Sequence, residues 1–319
     1  MYNEKHLKNI YKALEKAELL YNSCICCGHI CHVDRNKNNI GRCKIFEDTE
    51  HIKTASHTLH FGEEPMLAGE GGSGTVFFSR CNLNCVFCQN YQISSEGLGS
   101  IINTKTLGDY FLYLENQGAE NINLVSASHV IYPVLKGLKY ALEKGLNLPI
   151  VYNTNGYDTK ELLDCLEGIV DIYLPDLKYV FDDKAFKYSK AENYFNTAVN
   201  ALEIMKSQVG DLYINDRKIA ERGIIIRHLV LPNNESDSYD ILIELKERGF
   251  LNSFISLMSQ YSPKFKALSF ENINRKLYKK EYDDIVNYAL DLGFENLLIQ
   301  EIESSENYLP DFTKEKPFL

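Results

Sequence analysis

Thr75-Val76-Phe77-Phe78-Ser79-Arg80-Cys81-Asn82-Leu83-Asn84-Cys85-Val86-Phe87-Cys88 joins a short apolar run to three cysteines spaced C-x3-C-x2-C. The run has the β-branched and aromatic composition of a strand buried on both faces. Three thiolates on the loop that follows can hold three irons of a [4Fe-4S] cluster and leave the fourth iron without a protein ligand. Two blander readings compete with this one, a zinc site one ligand short and three structural thiols.

The same kind of run recurs at 122–126, 149–154, 170–174, 223–231 and 253–258, with a further one at 295–300. Between the runs lie segments with apolar residues at helical spacing, at 107–117, 132–144, 159–166, 194–208, 240–248 and 279–292. Alternation of this kind predicts an α/β fold of parallel strands joined by crossover helices, here a partial (β/α)6 TIM-like barrel over residues 71–300. Ahead of it, residues 1–70 read as a helix over 5–21 followed by an irregular cysteine-rich segment, a metal-binding appendage bounded by the glycine-rich stretch 62–74. The glycines at 69–74 are followed by no Lys-Ser/Thr pair, so they supply a turn and no phosphate loop. Residues 301–319 form a polar, proline-containing tail without a pattern.

The 319 residues are 45% hydrophobic and 24% charged, the balance of a globular protein. No apolar run is long enough to span a bilayer, and the lysine- and glutamate-studded first 20 residues lack the core of an export signal, so a cytoplasmic location is expected. A formal charge of −10 argues against a general binder of nucleic acid. Eight of the 9 cysteines fall between Cys24 and Cys88; in a reducing compartment such clustering reads as metal or redox chemistry. Cys165 stands apart in an apolar stretch, where a buried, inert thiol is expected.

The cysteine loop, with Phe87 directly before its last cysteine, closely resembles the radical SAM signature. Further segments extend the likeness over nearly the whole chain: LHFGEEP at 59–65, GSGTVFF at 72–78, CQNYQIS at 88–94, VYNTNGY at 151–157, YLPDLKY at 173–179, RHLVLP at 227–232 and LMSQY at 257–261. Together they resemble the pyruvate formate-lyase activating enzyme-like proteins, in the branch of activating-enzyme homologues without an assigned target. This resemblance implies a [4Fe-4S] cluster on Cys81, Cys85 and Cys88 and S-adenosylmethionine (SAM) chelated at the open iron. It also implies reductive cleavage to a 5′-deoxyadenosyl radical, hydrogen abstraction from a glycine of a partner glycyl-radical enzyme, and flavodoxin or ferredoxin as electron donor. A radical SAM enzyme acting on a small molecule, peptide or nucleic acid is the alternative. A non-catalytic metal-binding or redox-sensing protein is the alternative of another class.

Active sites of β/α barrels collect at the C-terminal strand ends. The polar residues found there are Ser126, Ser128 and His129; Asn153, Asn155 and Gly156; Asp176 and Lys178; Arg227; and Gln260. The family segment that usually holds the SAM amino group, of Gly-Gly-Glu type, is replaced here by Ser126-Ala127-Ser128-His129. The resemblance assigns Asn155-Gly156 to the methionine or ribose side of SAM, and Lys178 of the Asp176-Leu177-Lys178 pair to its carboxylate. Arg227 in an apolar run needs an anion, either Asp176 or a carboxylate of substrate or SAM, and the second is preferred. His228 beside it reads as a structural histidine, and His129 as either site or structure.

Cys24-x2-Cys27-x3-Cys31-x11-Cys43 offers four more thiols, with Cys26, His29 and His32 as spare donors. Four ligands describe a closed site, either structural Zn²⁺ or a second [4Fe-4S] cluster relaying electrons. His51, His57 and His60 lack the spacing of a helical metal pair and read as ordinary polar residues, with His60 the most buried.

Overall fold

A computed structural model of the chain describes residues 2–37, 39–301, 309–314 and 317–318. In chain order its elements begin with helix α1 (Tyr2–Asn22), strand β1 (His51–His60), the short helix α2 (Pro65–Ala68), β2 (Ser73–Phe78), the short α3 (Tyr91–Ser94), β3 (Ser100–Asn103) and α4 (Thr104–Asn116). Next come β4 (Ile122–Val125), α5 (Ile131–Glu143), β5 (Ile150–Thr154), α6 (Lys160–Leu166), β6 (Ile172–Pro175), α7 (Asp182–Ser189) and α8 (Tyr194–Val209). The chain then runs through β7 (Tyr213–Ile214), β8 (Ala220–Leu229), α9 (Ser238–Glu247), β9 (Phe254–Met258), α10 (Lys279–Leu292) and β10 (Leu297–Ile299).

The apolar runs become parallel strands because both of their faces are covered. Every residue of β2, β5 and β6 is buried, as expected where crossover helices pack one face and the barrel interior fills the other. The parallel order is β2-β4-β5-β6-β8-β9-β10, and the sheet is left open. The six expected strands and the further run at 295–300 are therefore all present among the described residues.

Two differences concern the edge next to β2. Strand β1 pairs antiparallel with β2, and β3 pairs antiparallel with β1, in segments that carry no strand signal. Only Ile52 and Thr54 of β1 are buried, and β3 is mostly exposed, so neither carries the apolar run by which a covered strand is recognised. Helix α7 was likewise unanticipated, since it buries only Ala185, Tyr188 and Ser189.

Glycine just before and within β2 answers to close packing. A Cβ on Gly71 would lie 2.0 Å from the Gly118 carbonyl oxygen, and one on Gly74 would lie 2.5 Å from that of Asn121. Helix α1 packs against α5 and α6. Its Lys5 Nζ and His6 Nε2 reach the buried Asp171 carboxylate at 2.6 and 2.8 Å. Residues 25–28 run beside 157–159, with Gly28 N donating to Tyr157 O and Thr159 Oγ1 donating to Ile25 O. Part of the tail, 302–308, lies outside the described residues. Its later part docks on the sheet, with Phe312 and Phe318 packed on Phe77. Among the described residues no helix is long and apolar enough to cross a membrane.

Candidate functional site

A cavity of about 620 Å³ opens at the C-terminal ends of the parallel strands. The loop after β2 brings Cys81, Cys85 and Cys88 to its wall together with Phe87. That loop is pinned from below: Asn84 N and Val86 N donate to the carbonyls of Ser189 and Tyr188 at the end of α7. Each thiol also meets a polar neighbour. Cys85 Sγ lies 3.1 Å from Ser189 Oγ, Cys88 Sγ lies 3.2 Å from Ser94 Oγ, and Cys81 Sγ accepts from Leu83 N at 3.4 Å.

Burial raises all three thiols, Cys81 to about 12 and Cys88 to about 11, while Lys178 opposes the rise at Cys85. Thiols in such a place stay protonated unless a cation takes the proton's place. The donor set thus fits a [4Fe-4S] cluster, which would be held as thiolates by Cys81, Cys85 and Cys88. Among the described residues no three Cys, His, Asp or Glu donors already stand around a single-ion position.

The next strand ends supply charge. At the end of β6, Asp176 Oδ2 accepts from Lys178 Nζ at 2.6 Å, and Asp176 Oδ1 accepts from Arg227 Nε at 2.9 Å. Arg227 Nη2 donates to Asn153 Oδ1 at 2.6 Å, and its Nη1 lies 3.7 Å from Glu63 Oε2. All five residues line the cavity. The cation in β8 therefore has an internal carboxylate beside it and also faces the cavity. The two cations hold Asp176 ionised, below its ordinary range despite burial.

Ser126, Asn155 and Gln260 also line the cavity. Asn155 Nδ2 donates to Asn82 Oδ1 at 2.6 Å and approaches Cys81 Sγ at 3.5 Å. Gly156 has φ +79°, and a Cβ there would stand 2.3 Å from the Asp176 carbonyl oxygen. Glycine is thus required for β5 and β6 to close together at the site. Ser128 and His129 turn elsewhere. Ser128 Oγ donates to the buried Asp158 at 2.5 Å, and His129 Nε2 lies 2.9 Å from Ser79 O, with burial pushing the ring down to about 4. His228 is held by Leu177 O and Ser238 Oγ as a buried structural group. His60 lines the cavity and is half-buried.

Sequence reasoning missed a carboxylate pair. Glu63 and Glu64 line the cavity, and Glu64 is buried with Oε2 lacking a hydrogen-bond partner among the described residues. Burial, then Glu63, pushes Glu64 up to about 7. Two adjacent acids before Pro65 were visible in the sequence as a signal. Pro310 and Phe318 from the tail also reach the cavity.

The other cysteines form a second gathering. Cys24, Cys26, Cys27, Cys31 and Cys43 line a small closed pocket with His29, Arg35, Arg42, Asn82, Ser128 and His129. Cys31 Sγ approaches Cys24 O at 3.9 Å, and Arg35 Nη2 donates to Cys43 Sγ at 3.1 Å. Cys165 is buried away from both sets and raised to about 11.

The profile of the Radical SAM superfamily matches residues 75–215, from β2 to just past β7. The uncharacterized protein MJ0674 of Methanocaldococcus jannaschii is 32% identical over 295 residues, covering 88% of this chain and 80% of its own. Among solved structures, TYW1 with a lysine-pyruvate adduct bound aligns with a TM-score of 0.46 and 16% identity over 72% of this chain and 78% of that one. Methylornithine synthase (PylB) aligns with a TM-score of 0.44 and 16% identity over 69% and 61%. HydG, a maturase of the [FeFe]-hydrogenase, aligns with a TM-score of 0.45 and 11% identity over 69% and 49%. With the matched region beginning on the strand that delivers Cys81, Cys85 and Cys88 to the cavity, residues 75–215 form a radical SAM superfamily domain, and the chain belongs to the same family as the Methanocaldococcus protein.

Proposed function

We propose that this radical SAM enzyme removes a hydrogen atom from a glycine of a partner protein, as an activating enzyme of the pyruvate formate-lyase type. The cluster and SAM, when bound, supply one-electron cleavage to methionine and a 5′-deoxyadenosyl radical. The chain supplies position and shelter. Lys178 offers a cation to the SAM carboxylate, with Asp176 holding that cation in place. Asn155 braces the cysteine loop through Asn82, and Phe87 keeps the cluster side of the cavity apolar against Tyr261.

The observation that carries this reading is the size and lining of the cavity. About 620 Å³ lies within the range that encloses one ligand of SAM's size. The open mouth at the strand ends suits a small reacting group such as a glycine presented on a loop. The segments that resemble activating enzymes, at 59–65, 151–157, 173–179 and 227–232, contribute much of that lining. The electron is proposed to come from flavodoxin or ferredoxin.

A second reading, a small-molecule substrate, draws on Pro310 and Phe318, which cover part of the cavity. The test is anaerobic reconstitution with iron and sulfide, reduction with dithionite, and assay of 5′-deoxyadenosine. Candidate glycyl-radical proteins are then added and the glycyl radical is sought by electron paramagnetic resonance. A radical on the partner, with 5′-deoxyadenosine in matching amount, is expected. SAM cleavage without any partner radical, stimulated instead by a small molecule, would replace the first reading with the second.

A further inference from the structure

Arg35 is a buried cation with no carboxylate partner among the described residues. Its Nη2 donates to Cys43 Sγ at 3.1 Å, its Nη1 donates to His129 O at 3.0 Å, and its guanidinium stands 5.3 Å from the centre of the Tyr21 ring. Its Nε has no hydrogen-bond partner. Burying a lone guanidinium is costly, and a neutral thiol is only a weak acceptor. Negative charge is therefore required nearby; Glu47 and Asp48 line a neighbouring pocket with Arg35 but make no ion pair with it, and the ionisable side chain to which it donates a hydrogen bond is Cys43, one of the cysteines of its own pocket.

Volume then bears on what those cysteines hold. The free space among them is about 10 Å³, roughly one water-sized sphere, with a recess of about 270 Å³ opening beside Cys31 and His29. A single ion fits among the thiols as they stand, whereas a cube of four irons and four sulfides needs the loop to open outward. The backbone is also committed to this shape. Ile30, His32 and Lys44, which flank Cys31 and Cys43, adopt φ of 40°, 52° and 56°. Left-handed geometry is rare for a β-branched residue and persists where surroundings enforce it.

We propose that Cys24, Cys27, Cys31 and Cys43 hold one divalent ion of the zinc class as a closed tetrathiolate, with Arg35 as its buried counter-ion. Four thiolates and a divalent ion carry two negative charges, of which Arg35 balances one. Binding draws the thiols in around the ion, and Cys26, which lines the same pocket, stays outside the ligand set. The site stands directly behind the catalytic loop: Asn82, the residue after Cys81, lines the same pocket, and His29 Nε2 lies 2.8 Å from its carbonyl oxygen. The ion so placed stiffens the floor beneath Cys81. This inference rests on the N-terminal cysteines and their charge balance, and it stands whichever substrate the radical chemistry takes.

The test uses the full chain with Cys85→Ala, which removes the first cluster, so that remaining metal belongs to the second site. Metal analysis together with assay of labile sulfide is expected to give about one zinc per chain and no sulfide. Cobalt introduced in its place is expected to show intense thiolate charge-transfer absorption. About four irons with matching sulfide, or no metal with all N-terminal thiols freely titratable, would overturn the proposal. In the same background Cys27→Ser is expected to lose the ion and Cys26→Ser to keep it; the reverse would overturn the ligand set. Arg35→Met is expected to release zinc to a chelator about 10- to 100-fold faster, with partial rescue by Arg35→Lys, and unchanged release in both would remove the counter-ion role. The Lys variant keeps the buried charge, so the test survives if the Met variant fails to fold.

Discussion

The two cysteine sets use the same side chain in surroundings that differ in one respect, access. Cys81, Cys85 and Cys88 face a cavity of about 620 Å³ ringed by Asp176, Lys178, Arg227 and Glu63. Cys24, Cys26, Cys27, Cys31 and Cys43 face about 10 Å³ lined also by Arg35 and His129, with Cys27 and Cys31 partly exposed. An open set can hold a cluster and still receive a ligand, whereas a closed set can only hold its metal. Thiol spacing names the donors, and the space in front of them decides between chemistry and structure.

The comparison is broken most sharply at the open set. Cys85→Ala is expected to reduce 5′-deoxyadenosine formation to background while the circular dichroism spectrum stays that of the wild type; undiminished turnover would remove the open set from the chemistry. At the closed set, Arg35→Met deletes the buried guanidinium that donates to Cys43 Sγ. Loss of about 3–5 kcal/mol of unfolding free energy is expected, the range for breaking a buried charge pair, read from denaturant titration.

A third change sharpens the view of the open set as a site built by backbone. Gly156→Ala forces a Cβ against the Asp176 carbonyl oxygen at φ +79°. It should cost about 1–3 kcal/mol and weaken SAM binding, measured by calorimetry on reconstituted protein. Weakened stability with SAM affinity intact would place Gly156 in the scaffold alone.

The smallest effect concerns pH. Burial raises Glu64 from its ordinary 4.5 to about 7, so the folded protein holds that proton more tightly than the unfolded chain does. The associated stability is complete below about pH 4.5 and is lost as pH rises through about 7, by at most about 3 kcal/mol. Glu64→Gln should flatten that part of the stability profile between pH 5 and 8, as read from denaturation midpoints. A profile identical to the wild type would show that Glu64 ionises as an exposed acid does.

Much of this was legible in the chain. The period of apolar runs located every parallel strand because those strands are covered on both faces, and burial on both faces leaves an unbroken apolar signature. Strands β1 and β3 escaped because edge strands are half-exposed and can be built from His, Thr, Ser and Lys. Among the residues that line the cavity, Asn153, Asn155, Asp176, Lys178, Arg227 and Gln260 are legible by their place at strand ends. Ser128 and His129 follow the same strand, yet they point into the closed pocket. The chain turns sharply at Ser126, with φ +55°, before reaching them.

The sequence by itself determined the donors and the scaffold: two sets of cysteine spacing and an alternating pattern that permits one class of fold. Only the tertiary structure decided what faces what. Arg35 meets His129 O across 94 positions, Arg227 meets Asp176 across 51, and Glu63 and Glu64 from ahead of the barrel reach a cavity built by strands that follow them. Such meetings depend on packing between segments distant in the chain. Local propensity and periodicity are properties of neighbours a few residues apart, and they carry no record of charges brought together by the closing of a core.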